Sequence, residues 1–125
     1  MLNSWIDEVE EDALLEKYNV TPGELHVKLT TADWLLYAAH EIGRITHHTE
    51  YQKELMDLRV RLKHGVKREL LPLVSLKNVG RVRARKLFDR GIKNAADIAK
   101  CNIKVLEKIV GKKTAVGLKG DRNFL

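Results

Sequence analysis

The chain has 125 residues, 44% of them hydrophobic and 32% charged, which is room for one domain or two very small ones. No apolar run is long enough to span a bilayer, and the apolar content is too high for a chain disordered throughout. The net charge of +6 conceals a division: residues 1–58 hold 12 acids against 4 Lys/Arg, and residues 59–125 hold 19 Lys/Arg against 5 acids.

Taken in chain order, Ser4 with Asp7 three residues on predicts a helix start, and Val9, Ala13, Leu14 and Tyr18 continue it at helical spacing. Asn19-Val20 breaks the run. Thr21-Pro22-Gly23-Glu24 is a second start, with Thr21 as N-cap, proline at the first helical position and Glu24 completing a capping box. From there the spacing predicts a long helix to about His47. One apolar stripe passes through Leu25, Leu29, Ala32, Leu36, Ala39 and Gly43; a second passes through Val27, Thr31, Leu35, Ala38 and Ile42. A helix apolar on two sides is usually central to a bundle.

His47-His48-Thr49 reads as a loop. A third helix over roughly 50–64 turns Leu55, Leu58 and Leu62 inward and ends at His64-Gly65. A short fourth carries Val66, Leu70, Leu71 and Val74 and is limited or kinked by Pro72. Asn94 caps a further helix, Asn102 caps the next, and residues 119–125 read as a tail. No segment alternates as a strand does, so the expected fold class is all-α: a helical bundle segment followed by a small helix-hairpin-helix domain.

That second part rests on a weak internal repeat. Val79-Gly80, Ala84 and Leu87 recur as Val110-Gly111, Ala115 and Leu118. An apolar residue, a glycine, then alanine four residues on is the helix-hairpin-helix pattern. Glycine permits a tight turn between two helices. The next helix then starts with unpaired amides and a positive dipole end, which hold a phosphate oxygen, and alanine lets the two helices pack closely. Such contacts read a nucleic-acid backbone without reading bases. Two ordinary helical turns are the plain alternative.

Charge favours the first copy. Residues 77–90 contain Lys77, Arg81, Arg83, Arg85, Lys86 and Arg90 against Asp89 alone. On a helix, Ala84, Leu87 and Phe88 face the core, Arg81 and Arg85 share one flank, and Arg83, Lys86 and Arg90 share the other. A surface of that kind binds phosphates in a salt-dependent way. Lys77, Gly80, Arg81, Arg83, Arg85, Lys86, Gly111, Lys112 and Lys113 are therefore the candidate DNA-binding residues. An acidic half joined to a basic half points to a polyanion on the second half, with nucleic acid first and an anionic membrane surface second. Attraction between the two halves is the structural alternative.

The run Leu62-Lys63-His64-Gly65-Val66-Lys67-Arg68-Glu69-Leu70-Leu71-Pro72-Leu73-Val74, followed by Gly80-Arg81-Val82-Arg83-Ala84-Arg85-Lys86-Leu87, resembles the C-terminal part of archaeal HelQ/Hjm-type DNA helicases, of the Ski-two-like branch of superfamily 2. Thr21-Pro22-Gly23-Glu24-Leu25 and Ala32-Asp33-Trp34-Leu35 are similar to that family's ratchet helix. The resemblance implies that residues 1–68 close a helicase ratchet domain and that residues 69–125 form a helix-hairpin-helix DNA-binding domain. It further implies 3′→5′ movement along DNA driven by ATP and Mg in motor domains of a parent chain, with Arg81, Arg83 and Arg85 as a grip or brake on a single-stranded tail or fork. It implies a base-stacking role for Trp34. By helical geometry Trp34 lies opposite the Leu25–Leu36–Gly43 stripe, so it either stacks on bases or fills the second apolar side. The family pattern places an arginine one or two turns before this tryptophan; Val27 stands there, flanked by His26 and Lys28.

The motor itself is not expected in this chain. Gly111-Lys112-Lys113-Thr114 departs from a phosphate loop, because lysine follows Gly-Lys where Ser or Thr is needed and Leu106 replaces the first glycine. No cofactor is expected in this part. His26, His40, His47, His48 and His64 offer no zinc spacing, though His40 and His47 could share a helix face. Cys101, the single cysteine, excludes a disulfide scaffold and reads as a buried structural thiol. Residues 1–20 are acidic and lack the start of a secretory leader; the expected location is the cytoplasm, and the expected state is a monomer without a membrane. The rival function is a protein-interaction module whose basic face meets an acidic partner. A nuclease is a third class, which would need clustered acids that the basic half lacks.

Overall fold

A computed structural model describes the backbone of residues 1–123 and the side chains of residues 1–120. Among them the only regular structure is helical: α1 Leu2–Ile6, α2 Glu11–Tyr18, α3 Pro22–Ile45, α4 Gln52–His64, α5 Leu71–Val74, α6 Arg81–Asp89, α7 Ala95–Lys100, α8 Ile103–Val110 and α9 Lys112–Asn123, with a 3-10 turn over Arg68–Leu70. The all-α expectation holds. The chain divides into two compact units, Met1–Arg68 and Glu69–Leu125.

In the first unit α3 and α4 form an antiparallel pair. Asp33 meets Arg59 at 2.8 Å, and two turns nearer the loop Gln52 Nε2 donates to the His40 carbonyl at 3.1 Å. Arg59 also lies over the Tyr37 ring, 5.1 Å from its centroid. The Arg59 hydrogen bond holds the Asp33 carboxyl below the usual carboxylate range, against a smaller opposing effect of burial. The capping box is present: Thr21 Oγ1 accepts from the Glu24 amide at 3.1 Å, and the Glu24 carboxylate accepts from the Thr21 amide at 2.9 Å. Asn19 ends α2 in the left-handed conformation, which asparagine tolerates.

The predicted helix from Ser4 is two helices. Ser4 lies inside α1, whose N-cap is Met1, and its hydroxyl meets the Tyr18 hydroxyl at 3.1 Å. Glu8 breaks the chain at φ +67, and its carboxylate accepts from the Lys67 amide at 2.9 Å. The break is thus held by a contact far along the chain. Trp5 locks α1 to the end of α4: its indole Nε1 donates to the Leu62 carbonyl at 2.7 Å, and its ring lies on Gly65. Gly65 takes φ +68, and a Cβ there would stand 2.6 Å from the indole, so both backbone sign and space require glycine.

The second apolar side of α3 is not buried. Leu25 is the only residue of α3 below the surface, and Val27, Leu35 and Ile42 are exposed. Pro72 does not kink a helix that begins at Val66; it occupies the first turn of α5, where its missing N–H costs nothing. The predicted tail is also corrected. α9 continues to Asn123, and Lys119 Nζ donates to the carbonyls of Ile98, Ala99 and Cys101 at the end of α7. A cation on a helix C-terminus is favourable. The part of the tail at residues 124–125 lies outside the described residues. Cys101 is half-buried as the C-cap of α7, not a buried thiol.

The second unit carries most of the large fully buried side chains, with Leu70, Leu73, Leu87, Ile98 and Leu106 among them. Asn94 Oδ1 accepts from the Asp97 amide at 2.9 Å, and Asn102 Oδ1 accepts from the Lys104 amide at 2.8 Å, so both predicted caps form. α6 and α9 both pack on α8, and α9 also packs on α7.

Candidate nucleic-acid interface

The two repeat copies fold alike. Val79, Ala84 and Leu87 are buried, and so are Val110, Ala115 and Leu118. In each copy the glycine precedes a helix whose first bond joins the alanine amide to the glycine carbonyl: Ala84 to Gly80 at 2.9 Å and Ala115 to Gly111 at 3.0 Å. The first-turn amides ahead of those bonds have no carbonyl within the helix to reach. No side chain caps α6, so its N-terminus keeps the geometry of an anion site.

The glycines differ. Gly111 takes φ +91 and ψ 157, a region essentially closed to other residues. Gly80 takes φ −99 and ψ −165, extended backbone open to any residue. The left-handed residue of the first turn is Asn78, at φ +64. Arg83 Nη1 donates to the Asn78 carbonyl at 2.8 Å and ties the turn to the helix it feeds. Asn78 escaped the sequence reading, although asparagine is the side chain that best tolerates that conformation after glycine.

The cations are not equivalent. Lys77, Arg83, Lys86, Lys112 and Lys113 are exposed, while Arg81 and Arg85 are half-buried. Arg85 pairs with Glu69 at 2.7 Å and lies 3.6 Å from Asp89. It also sits over the Phe88 ring, 5.3 Å from the centroid, with Lys93 at the same distance from that ring. Glu69 could not be found from local spacing, because it lies beyond the turn and across a helix. Gly80, Gly111 and all seven predicted cations of the basic part belong to the second unit.

Trp34 belongs to the first unit and is 66% exposed. It shares one line of α3 with Val27 and Ile45, both more than half exposed. Trp34 therefore does not fill a second apolar side within its unit; its indole is presented outward. His40 and His47 share no helix face, because His47 lies past the end of α3 at φ +63. Gly111-Lys112-Lys113-Thr114 joins two helices, whereas an ATPase phosphate loop leads from a strand into a helix. The residues present do not fit an ATP site there. Among the described residues no helix is long and apolar enough to cross a membrane.

This two-unit arrangement coincides with two family matches. Residues 1–65 match the family described as "Archaeal helicase, domain 4", and residues 70–119 match "SAM-like Helix-hairpin-helix tandem". The chain belongs to the archaeal helicase family. It is 40% identical over 118 residues to the ATP-dependent DNA helicase Hel308 of Methanococcus vannielii, covering 90% of this chain and 16% of that protein. It is 42% identical over 120 residues to the Hel308 of Thermococcus kodakarensis, covering 95% of this chain and 10% of that protein. The Methanocaldococcus jannaschii Hel308 is 40% identical over 115 residues, 92% of this chain and 9% of that protein. The chain thus corresponds to the C-terminal region of this helicase family and spans a sixth or less of these relatives' length.

Proposed function

We propose that this chain binds DNA without sequence preference, holding a single-stranded tail or fork as the C-terminal accessory part of an ATP-dependent 3′→5′ DNA helicase. The observation that carries the reading is the pair of glycine-led helix starts, each backed by the same buried triplet and followed by basic residues. The amides of α6 and α9 take phosphate oxygens. Arg81, Arg83 and Arg85, with Lys77, Lys86, Lys112 and Lys113, supply the salt-dependent attraction and act as grip or brake on the strand. Trp34 presents a face on which a base stacks, a contact worth about 1–3 kcal/mol.

ATP and Mg serve the motor domains of the parent chain; this part hydrolyses nothing. Its partners are DNA and those remaining helicase domains, in a cytoplasmic monomer. Leu35 and Ile42, exposed on α3 to one side of the line that carries Trp34, support the contact with the other domains. A titration of labelled single-stranded and forked DNA at two salt concentrations tests the reading. Binding that ignores salt, or an acidic protein that binds the basic face more tightly than DNA does, would replace it with the interaction-module alternative.

A further inference from the structure

Lys86, Asp89 and Arg90 at the end of α6 and Lys108 and Ile109 near the end of α8 line a surface pocket of about 370 Å³. Three of these five side chains are cations, and they come from two helices. The single acid, Asp89, lies 3.6 Å from the Arg85 guanidinium, which it shares with Glu69, and the lining keeps an excess of positive charge. Neither Arg90 nor Lys108 belongs to a hairpin turn or to the arginine motif.

Position indicates what the pocket serves. Lys86 and Arg90 are one turn apart on α6, on the flank that begins with Arg83. Lys108 stands three residues before Gly111, whose turn opens α9. The pocket therefore connects the cationic flank of the first hairpin helix with the turn of the second hairpin. Lys86, Arg90 and Lys108 are all exposed. The two lysines offer point charges on long stems and Arg90 a planar fork that fits two oxygens of a phosphate.

We propose that the Lys86–Arg90–Lys108 pocket binds a phosphodiester group of a nucleic-acid strand and carries its backbone from the α6 flank to the Gly111 turn. The proposal rests on the DNA-binding reading above and adds Arg90 and Lys108 to it. It predicts no base selectivity, because only phosphates are contacted.

The test uses the full chain. Single-stranded DNA affinity is measured across salt for Arg90→Ala with Lys108→Ala, and for a control pair of exposed lysines, Lys53→Ala with Lys100→Ala, that removes equal charge away from the pocket. The pocket pair should flatten the slope of log affinity on log salt by about 1.4, at roughly 0.7 per lost contact, and the control pair by less than half of that. Arg90→Lys with Lys108→Arg keeps the charges and should keep the slope. Equal losses in pocket and control pairs would mean that only net charge matters and would overturn the proposal. An unchanged slope in the pocket pair, while an Arg81, Arg83 and Arg85 triple alanine variant still loses affinity, would overturn the pocket and leave the DNA-binding reading standing. If neither variant moves binding, the DNA-binding reading fails as well. Amide shifts on adding inorganic phosphate give the last arm: perturbation around Arg90 and Lys108 by phosphate but not by DNA would make this a free-anion site and overturn the proposal.

Discussion

Arg85 holds its guanidinium 2.7 Å from the Glu69 carboxylate while lying over the Phe88 ring. This arginine of the motif is thus anchored to the fold of its unit, while Arg83 is tied only to the turn that precedes it. Arg85→Ala should therefore lower both melting temperature and DNA affinity, with a stability cost of about 1 kcal/mol for a half-exposed pair. Arg83→Ala should lower affinity by a similar factor with a smaller thermal effect. Glu69→Gln leaves Arg85 in place and removes a competing anion, so DNA affinity should rise and its salt slope steepen. An affinity that falls in Glu69→Gln would show that Arg85 acts only structurally.

Trp34→Ala should hardly disturb the fold, because the indole is already 66% exposed; a change within about 0.5 kcal/mol is expected. DNA should quench Trp34 emission. Trp5 serves as a steady reference, since its indole is hydrogen-bonded to Leu62 and packed on Gly65. A large drop in melting temperature with undiminished DNA affinity would reject base stacking.

Gly65→Ala should be among the most damaging small substitutions in the first unit. A left-handed φ costs a residue with a Cβ about 1–2 kcal/mol, and crowding the Trp5 ring adds about 1–3 kcal/mol. Combining it with Trp5→Ala should give less than the sum of the two, because the second change removes the clash. Urea midpoints of the single and double variants measure this.

Much of this architecture is legible because it is written locally. Thr21 to Glu24, Asn94 and Asn102 announce their caps within three residues, and the two copies of Val-Gly, Ala and Leu announce two matching hairpins. What escapes is fixed from far away. Nothing near Glu8 marks a break, since its carboxylate is held by the Lys67 amide. Residues 119–125 read as a tail, yet Lys119 ties α9 to the end of α7. The periodicity of α3 shows two apolar sides but cannot say which is covered; the polar contacts of Asp33 with Arg59 and of His40 with Gln52 show where α4 lies. In the site, the sequence lines up the arginines by charge alone and cannot see that Glu69 holds one of them.

His64 gives the first unit a pH dependence. Burial pushes its pKa down, with Lys63 adding to the effect. The unfolded chain therefore takes up the proton first as pH falls. Stability should be full above about 6.5, the ordinary histidine value, and should decline as pH drops through the depressed folded value. Asp33 stays ionised over this window because Arg59 holds its pKa low. Urea midpoints at about pH 7.5 and about pH 5 should separate, and His64→Gln should narrow the gap. Equal gaps in both proteins would assign the dependence to other groups.

In the proposed function the glycine-led helix starts and their arginines bind DNA through its phosphates. The most direct measurement is the affinity of the full chain for single-stranded DNA across a salt series, alongside the Arg81, Arg83 and Arg85 triple alanine variant. The slope for the variant should be shallower by about 2, at roughly 0.7 per contact, with unchanged sequence preference. A variant that keeps the parent slope and affinity would contradict it.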